Sequence, residues 1–348
     1  MFVAENRAIA AVPDESVDHS AEWKHIIGSA EPFLQAVGQR LLDQIQSFDP
    51  EISAYAEYAL AGQGKRLRPV LVALSGEAVG QLSDAHINVA VIIEMVHLAT
   101  LVHDDVVDDA EIRRGRPTLA AQWGNETSVL LGDCLFAHAL ELAASFPTPD
   151  ICRAVASATN TVCAGEILQN KYRHNFNLPQ AEYFKVLQMK TGELFALSCD
   201  LGAYLGGASP AHRTALRQFG MTIGTAYQVY DDCVDLYGSE LAVGKSLGTD
   251  LAKGKLTLPL LMLLEKAQTS ERLLVQRLMK DWQNEHFSEI KTLLRKHQAL
   301  AQSQGVVRPF LQSASQVLLT LPSSRSQTGL LALNDYLARQ VDALRDSS

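Results

Sequence analysis

Residues 84–109 read DAHINVAVIIEMVHLATLVHDDVVDD, and the fold turns on how this stretch is taken. Ile87, Val91, Ile92, Met95, Val96, Leu98, Leu101 and Val102 fall around nearly the whole circumference of a helical wheel. A helix from about Asp84 to Asp108 must therefore be buried on all sides, and Ser83 supplies an N-cap oxygen just before it. Such a helix belongs at the centre of a larger helical assembly. It ends in four carboxylates, Asp104, Asp105, Asp108 and Asp109. The 3.6-residue repeat puts Asp104 and Asp108 on one face, with Asp105 and Asp109 beside them. Like charges four apart repel, and acids at a helix C-terminus oppose the macrodipole, by a few tenths to about 1 kcal/mol each. The run is either a solvated cap on a buried helix or a seat for something positive.

Outward from this stretch, the prolines leave long segments rich in Ala, Leu, Glu and Gln, all good helix formers. Ser209-Pro210 reads as a cap followed by proline at the first helical position, Gly206-Gly207 as a helix stop, and 175–179 (NFNLP) as a breaker. No alternating strand run, Asn-Gly hairpin signal or solenoid repeat is found. The expectation is an all-α, single-domain helical bundle over residues 30–348, behind a partly mobile lead-in at 1–29. A surface loop at 323–329 (SSRSQTG) would precede a last amphipathic helix carrying Leu330, Leu333, Leu337, Val341 and Leu344 on one side.

The bulk numbers narrow the function classes. With 348 residues, 47% of them hydrophobic and 20% charged, the chain can bury a sizeable core. A formal net charge of -9 disfavours nucleic-acid binding, which needs a broad basic surface. Five cysteines, at 134, 152, 163, 199 and 233, form no C-x-x-C pair, so neither a disulfide framework nor a zinc site is expected, and a reducing cytoplasm fits best. Cys233 reads as a small packed side chain. The acidic residues of the first twenty positions are unlike a signal or transit peptide, and no uncharged apolar run long enough for a transmembrane segment is expected.

A second acidic segment changes the weighing of the first. Residues 227–235 read YQVYDDCVD, so Asp231, Asp232 and Asp235 repeat the same spacing after another apolar helix. Hard oxygen donors at this spacing suit Mg²⁺, which takes one or two carboxylates and fills its shell with water and phosphate. Basic clusters stand where a phosphorylated ligand would need them: Lys65, Arg66 and Arg68 in 62–69, Arg113 and Arg114 in 113–117, and Lys245, Lys253 and Lys255 in 244–255. Arginine forks grip phosphate oxygens and lysines add point charge.

The segments LVHDDVVD, RRGRPT, GKRLRP, and YQVYDDCVDLYG followed by GKSLGTDLAKGKLTLPLL resemble the trans-isoprenyl diphosphate synthases, the polyprenyl synthetase family, over roughly residues 30 to 345. The resemblance implies a helical bundle of the isoprenoid synthase type with a central cavity, and a homodimer. It implies that Asp104, Asp105 and Asp108, facing Asp231, Asp232 and Asp235, bind three Mg²⁺ that bridge to an allylic diphosphate. Arg113, Lys190, Thr191 and Lys245 would hold that diphosphate, with Lys255 and Gln228 nearby. Lys65, Arg68, His97 and Arg114 would hold isopentenyl diphosphate. Gly62-Gln63-Gly64 departs from the family's adjacent glycines before the lysine. The implied reaction is ionisation of the allylic diphosphate, alkylation of isopentenyl diphosphate and loss of a proton, which needs charge neutralisation and a dry cavity but no protein nucleophile.

Product length would depend on what floors the cavity. Thr100 and Ala99 lie about one turn, roughly 5.4 Å, below Asp104, where short-product members of the family carry bulky aromatics. Ala99 either leaves that floor open or merely admits close helix packing. Met95 and Ile92, with His138 or Leu142 on a helix beginning near Gly132, would make a deeper floor. The expected product is longer than farnesyl, either geranylgeranyl or a long polyprenyl diphosphate. The alternatives are a farnesyl synthase, a non-catalytic or regulatory subunit of a heteromeric synthase, and a terpene cyclase. The second aspartate motif, which lacks the cyclase pattern N-D-x-x-S-x-x-x-E, disfavours the cyclase. His103 reads equally as a partner for Asp104 or as helix surface.

Overall fold

The structure, a computed structural model, describes residues 26–28, 30–61, 64–239 and 247–346. In chain order the helices are α1 (Glu31–Gln46), α2 (Pro50–Leu60), α3 (Leu67–Glu77), α4 (Asp84–Val107), α5 (Leu119–Ala144), α6 (Asp150–Lys171) and α7 (Gln180–Leu187). A π-helical turn at Gln188–Gly192 leads into α8 (Glu193–Leu205). Then follow α9 (Pro210–Tyr237), α10 (Thr249–Ala252), α11 (Leu258–Lys266), α12 (Thr269–Lys280), α13 (His286–Lys296), α14 (Ala299–Leu318) and α15 (Arg325–Ala343).

The apolar stretch that ends in Asp104, Asp105 and Asp108 is the central helix. α4 is packed by α1, α2, α3, α5 and α8, and Val89, Ala90, Ile92, Ile93, Met95 and Ala99 have no exposed surface. Ser83 caps it as expected, in an extended conformation, but its reciprocal partner is His86 rather than an acid: the Ser83 N–H donates to His86 Nδ1 at 3.1 Å. His86 Nε2 lies 3.2 Å from the Gly202 carbonyl on α8, so one buried imidazole closes the helix start and ties α4 to α8. The α3–α8 approach is equally close, since a Cβ on Gly202 would sit 2.5 Å from the Val72 carbonyl oxygen. One continuous apolar cluster runs from Ile26 to Val341.

Ser209 caps α9 by accepting from His212 N, and α8 stops at Gly206, with Gly207 at φ 80°, both as read from sequence. Several expectations are corrected. The described residues do contain two short antiparallel strands, β1 (Ile112–Arg113) and β2 (Arg116–Pro117). Their turn is Arg114-Gly115, at φ 51° and 72°, the positive pair that a primed hairpin turn demands without an Asn-Gly signal. α5 starts at Leu119, not near Gly132, and is bent at Gly124 (φ 87°). The last helix begins at Arg325 behind its cap Ser324, so most of the expected 323–329 loop is helical and Ser326 and Gln327 are buried. Of the expected lead-in at 1–29, only 26–28 are described, and there Ile26 and Ile27 pack into the core. α4 and α5 are long and apolar enough to cross a membrane by length and composition, a test that a buried core helix also passes, and neither is free of charged residues. α4 is apolar because helices surround it, and α5 lies along it.

Candidate active site

The C-terminal ends of α4 and α9 open onto one cleft of about 1190 Å³. Asp104, Asp105 and Asp108 line it from one side, and Asp231 and Asp232 from the other. Each carboxylate of the first motif is met by positive charge. Arg113, from β1, bonds Asp105 Oδ1 through Nε and Nη2, both at 2.8 Å. Asp108, at the C-cap of α4, takes Arg173 Nη2 at 2.7 Å, Lys255 Nζ at 2.9 Å and Lys253 Nζ at 3.3 Å. Burial would push the Asp108 carboxyl up, but the ammonium groups of Lys255, Lys253 and Lys190 outweigh it and hold it at about 2. Asp104 lies 3.6 Å from Lys190 Nζ. Burial raises its pKa, Lys190 opposes that, and the nearby Glu166 and Asp108 carboxylates add to it. Asp109 leaves the helix at φ 46°, so it does not stack beside Asp105 as the helical repeat predicted.

Lys190 and Thr191 come from the π-helical turn Gln188–Gly192, a wider turn of the kind often found at functional positions. Lys190 pairs with Glu166 and reaches Gln169 Oε1 at 2.9 Å. Its own burial would lower its pKa, but Asp104 and Glu166 prevail and raise it to about 12, so it remains an ammonium.

Asp232, in the second motif, accepts from neutral donors. Asp232 accepts from the Tyr183 hydroxyl at 2.7 Å and from Gln228 Nε2 at 3.0 Å, and Thr191 donates to Gln228 Oε1 at 2.8 Å. Burial, reinforced by the Asp250 carboxylate, pushes the Asp232 pKa up. Asp235 is 1% exposed and is not on the cleft wall. It bonds Thr249 Oγ1 at 2.7 Å, Thr249 N at 3.3 Å and Asp250 N at 3.1 Å.

The other basic group gathers at the same cleft. Lys65, Arg68, His97 and Arg114 line it together with Glu94. Arg68 lies over the Phe195 ring at 5.0 Å, and among the described residues its buried Nε has no hydrogen-bond partner. Burial lowers the Arg68 pKa and raises that of Glu94, each opposed by the other's charge. His97 is pushed well down, first by burial and then by Arg68, Arg114 and Arg113, so it is a neutral imidazole beside the cations. Lys65 reaches the Tyr336 hydroxyl at 3.2 Å. Lys255 is on the wall, and Lys245 lies outside the described residues.

The all-oxygen donor set of the acidic rims fits a hard divalent cation. Among the described residues no three acidic, His or Cys side chains already form a closed cage. An ion here would complete its shell with water and ligand oxygens, as Mg²⁺ usually does. The orphaned Arg68 Nε independently fits an anion at the basic end.

Below the aspartates the wall is apolar, formed by Leu98, Val102, Phe136, Val162 and Leu194 among others. Thr100 lines it, but Ala99, Met95, Ile92 and His138 do not. The helical repeat explains this: four residues back from Asp104 returns to the same side, whereas five back is turned away by about 140°. His138 bonds Gln44 Oε1 at 2.9 Å and packs edge-on to Phe48. His103 turns toward α5, with Nε2 at 2.9 Å from the Val129 carbonyl.

Sequence reasoning missed Glu166, Gln169, Asn170 and Arg173 of the α6 region, and Tyr183. The first four recur at i, i+3, i+4 and i+7, a polar stripe that could have been read as a site face. Tyr183 carried no local signal.

Residues 49–296 match the family model described as Polyprenyl synthetase. The chain is 36% identical over 311 residues to Heptaprenyl diphosphate synthase component 2 of Bacillus subtilis, covering 88% of each. It is 33% identical over 305 residues to Octaprenyl diphosphate synthase of Haemophilus influenzae, covering 87% of this chain and 93% of the other. Among solved structures, a decaprenyl diphosphate synthase from Rhodobacter capsulatus superposes with a TM-score of 0.86 at 31% identity, covering 93% and 99%. A polyprenyl synthase from Caulobacter crescentus, solved in complex with calcium and isoprenyl diphosphate, gives 0.87 at 33%, covering 91% and 97%. With matches of this extent on an all-α frame whose two aspartate motifs open onto one cleft, the chain belongs to the polyprenyl synthetase family of trans-prenyltransferases.

Proposed function

We propose that the protein condenses isopentenyl diphosphate with an allylic diphosphate (dimethylallyl, geranyl or farnesyl), releases pyrophosphate and makes a trans-polyprenyl diphosphate longer than farnesyl. The observation that carries this reading is the single cleft with acidic motifs on both rims, cations between them and an apolar wall beneath. Asp104, Asp105 and Asp108, with Asp231 and Asp232, would hold Mg²⁺, three ions by family resemblance. These ions would neutralise the departing diphosphate.

The remaining work falls to this chain's own residues. Arg113, Lys190 and Lys255, with Lys245, orient the allylic diphosphate, and Thr191 and Gln228 line its seat. Lys65, Arg68, His97 and Arg114 hold isopentenyl diphosphate, and Arg68 Nε gains the acceptor it lacks. The allylic C–O bond breaks with its electron pair leaving on pyrophosphate. The double bond of isopentenyl diphosphate attacks the allylic carbon, and a proton passes from the new chain to the released pyrophosphate. Leu98, Val102, Phe136 and Leu194 keep water from the cation. Relatives named as heptaprenyl and octaprenyl synthases support a long product.

Residues 30–348 act as one helical domain, supported by the continuous core. Exposed Val129 and Leu130 on α5 favour pairing of two copies. The cysteines, all unpaired, fit the cytoplasm. The second reading, a regulatory subunit of a heteromeric synthase, is not favoured, although one relative is named as a synthase component.

The test is to give the purified chain labelled isopentenyl diphosphate, each allylic primer and Mg²⁺. Pyrophosphate release requiring both substrates, with products beyond farnesyl, is the expected result. Farnesyl alone would defeat the length assignment, and activity only after another protein is added would establish the second reading.

A further inference from the structure

Resting on the prenyl-transfer reading, we propose that Asp235 is a positioning residue, not a metal ligand: it clamps the segment 247–257 so that Lys253 and Lys255 reach across to Asp108. The two acidic motifs have the same spacing, which suggests the same duty for their last members. Their surroundings differ. Asp108 lies on the cleft wall among cations, whereas Asp235 is buried away from it and both its oxygens are engaged by α10. The Thr249 hydroxyl and the N–H groups of Thr249 and Asp250 donate to it. The Gly248 N–H donates to the Asp235 backbone carbonyl at 2.8 Å, and Gly248 stands at φ 74°. Side chain and main chain of one aspartate thus hold the start of the segment.

The far end of the segment has its own anchor. The His174 N–H donates to the Gly254 carbonyl at 2.8 Å, and the His174 ring occupies the space where a Cβ on Gly254 would stand. Just past the second anchor the Lys255 N–H donates back to the Asp250 carbonyl at 2.9 Å, and Lys255 Nζ reaches Asp108 at 2.9 Å and Asp250 Oδ1 at 3.8 Å. A rigid path therefore runs from α9 through Asp235, Thr249 and Asp250 to Lys255 and the end of α4. Both lysines that meet Asp108 from this segment depend on that path for their placement. A side chain held this way aims cations at a ligand without touching it.

The experiment compares Asp235→Asn, Thr249→Val and the double variant with the unaltered chain. First, in metal-free protein, amide hydrogen exchange over 248–253 is expected to quicken by about tenfold in each single variant. Second, in turnover with Mg²⁺, kcat/KM for the allylic diphosphate is expected to fall by about tenfold in each, with the double variant no worse than the poorer single, as for residues acting through one contact. The Mg²⁺ concentration for half-maximal rate should stay within about twofold. A rise of about tenfold in that concentration for Asp235→Asn, with Thr249→Val behaving like the unaltered chain in exchange and turnover, would make Asp235 a ligand and overturn the proposal. If Asp235→Asn does not fold, Thr249→Val alone decides, because it keeps the carboxylate and removes one donor. Should the unaltered chain show no prenyl transfer, that reading falls, while the metal-free exchange still decides the clamp.

Discussion

The two aspartate motifs share a spacing and a cleft, but cations meet Asp108 where a hydroxyl and backbone N–H groups meet Asp235. At the end of α4, Asp104, Asp105 and Asp108 each face at least one cation. At the end of α9, Asp232 and Asp235 take hydroxyl, amide and backbone donors. The difference follows from where each helix ends. α4 runs out among Arg113, Arg173 and the lysines of 253–255, which offset both the mutual repulsion of the acids and the unfavourable macrodipole. α9 ends beside the opening turn of α10, whose N–H groups need an acceptor. The last aspartate of the first motif thus gathers cations, and the last aspartate of the second satisfies the opening backbone of α10.

The comparison breaks most sharply if the first motif tolerates loss of a carboxylate. Asp104→Ala should lower kcat/KM by about 10³-fold, measured at saturating Mg²⁺, because it removes an acidic group at the point where diphosphate charge is handled. A loss under tenfold would mean that the paired cations, not the acids, organise the site. Next in size is Lys190→Met. It strands Glu166 and Asp104 in a half-buried setting, and should cost about 3 kcal/mol in denaturant unfolding.

The floor offers a test of the same kind. Thr100→Phe, on the cleft wall, should shorten the product with little change in melting temperature. Ala99→Phe, with no exposed surface, should cost about 1–3 kcal/mol of stability by overpacking. Product chromatography and thermal melts separate the two outcomes.

The neutral-donor side is sharpened by Tyr183→Phe, which leaves Asp232 short of one buried donor. A loss of about 1–2 kcal/mol in chemical unfolding is expected. The smallest effect belongs to His86, whose pKa is lowered from 6.5 by burial, the Gly202 contact opposing. Its neutral ring accepts from Ser83 N. The unfolded chain then binds the proton more readily, so this contribution is complete above pH 6.5 and shrinks as pH falls below it. His86→Ala should flatten the slope of stability between pH 5 and pH 7, as followed by urea midpoints, by roughly 1 kcal/mol at most.

Much of the site is legible in the sequence because its signals are local. Asp104 with Asp108, and Asp231 with Asp232, follow from helical spacing and from the cost of gathering like charge. Arg113 and Arg114 follow from their adjacency to the first motif. The partners could not be read so. Arg173 meets Asp108 from 65 positions away, and Tyr183 meets Asp232 from 49. Ala99 was misplaced because counting residues back from Asp104 ignored the angle at which each one leaves the helix.

The order of residues was enough to establish the all-α class, the buried central helix and the acidic helix ends, since each depends on periodicity, capping or charge within a few turns of chain. Which acid meets a cation, which one binds backbone, and which side chains reach the cleft depended on how distant helices pack. Those contacts are set by burial and hydrogen-bond satisfaction across the folded chain, where neighbours in space are strangers in sequence.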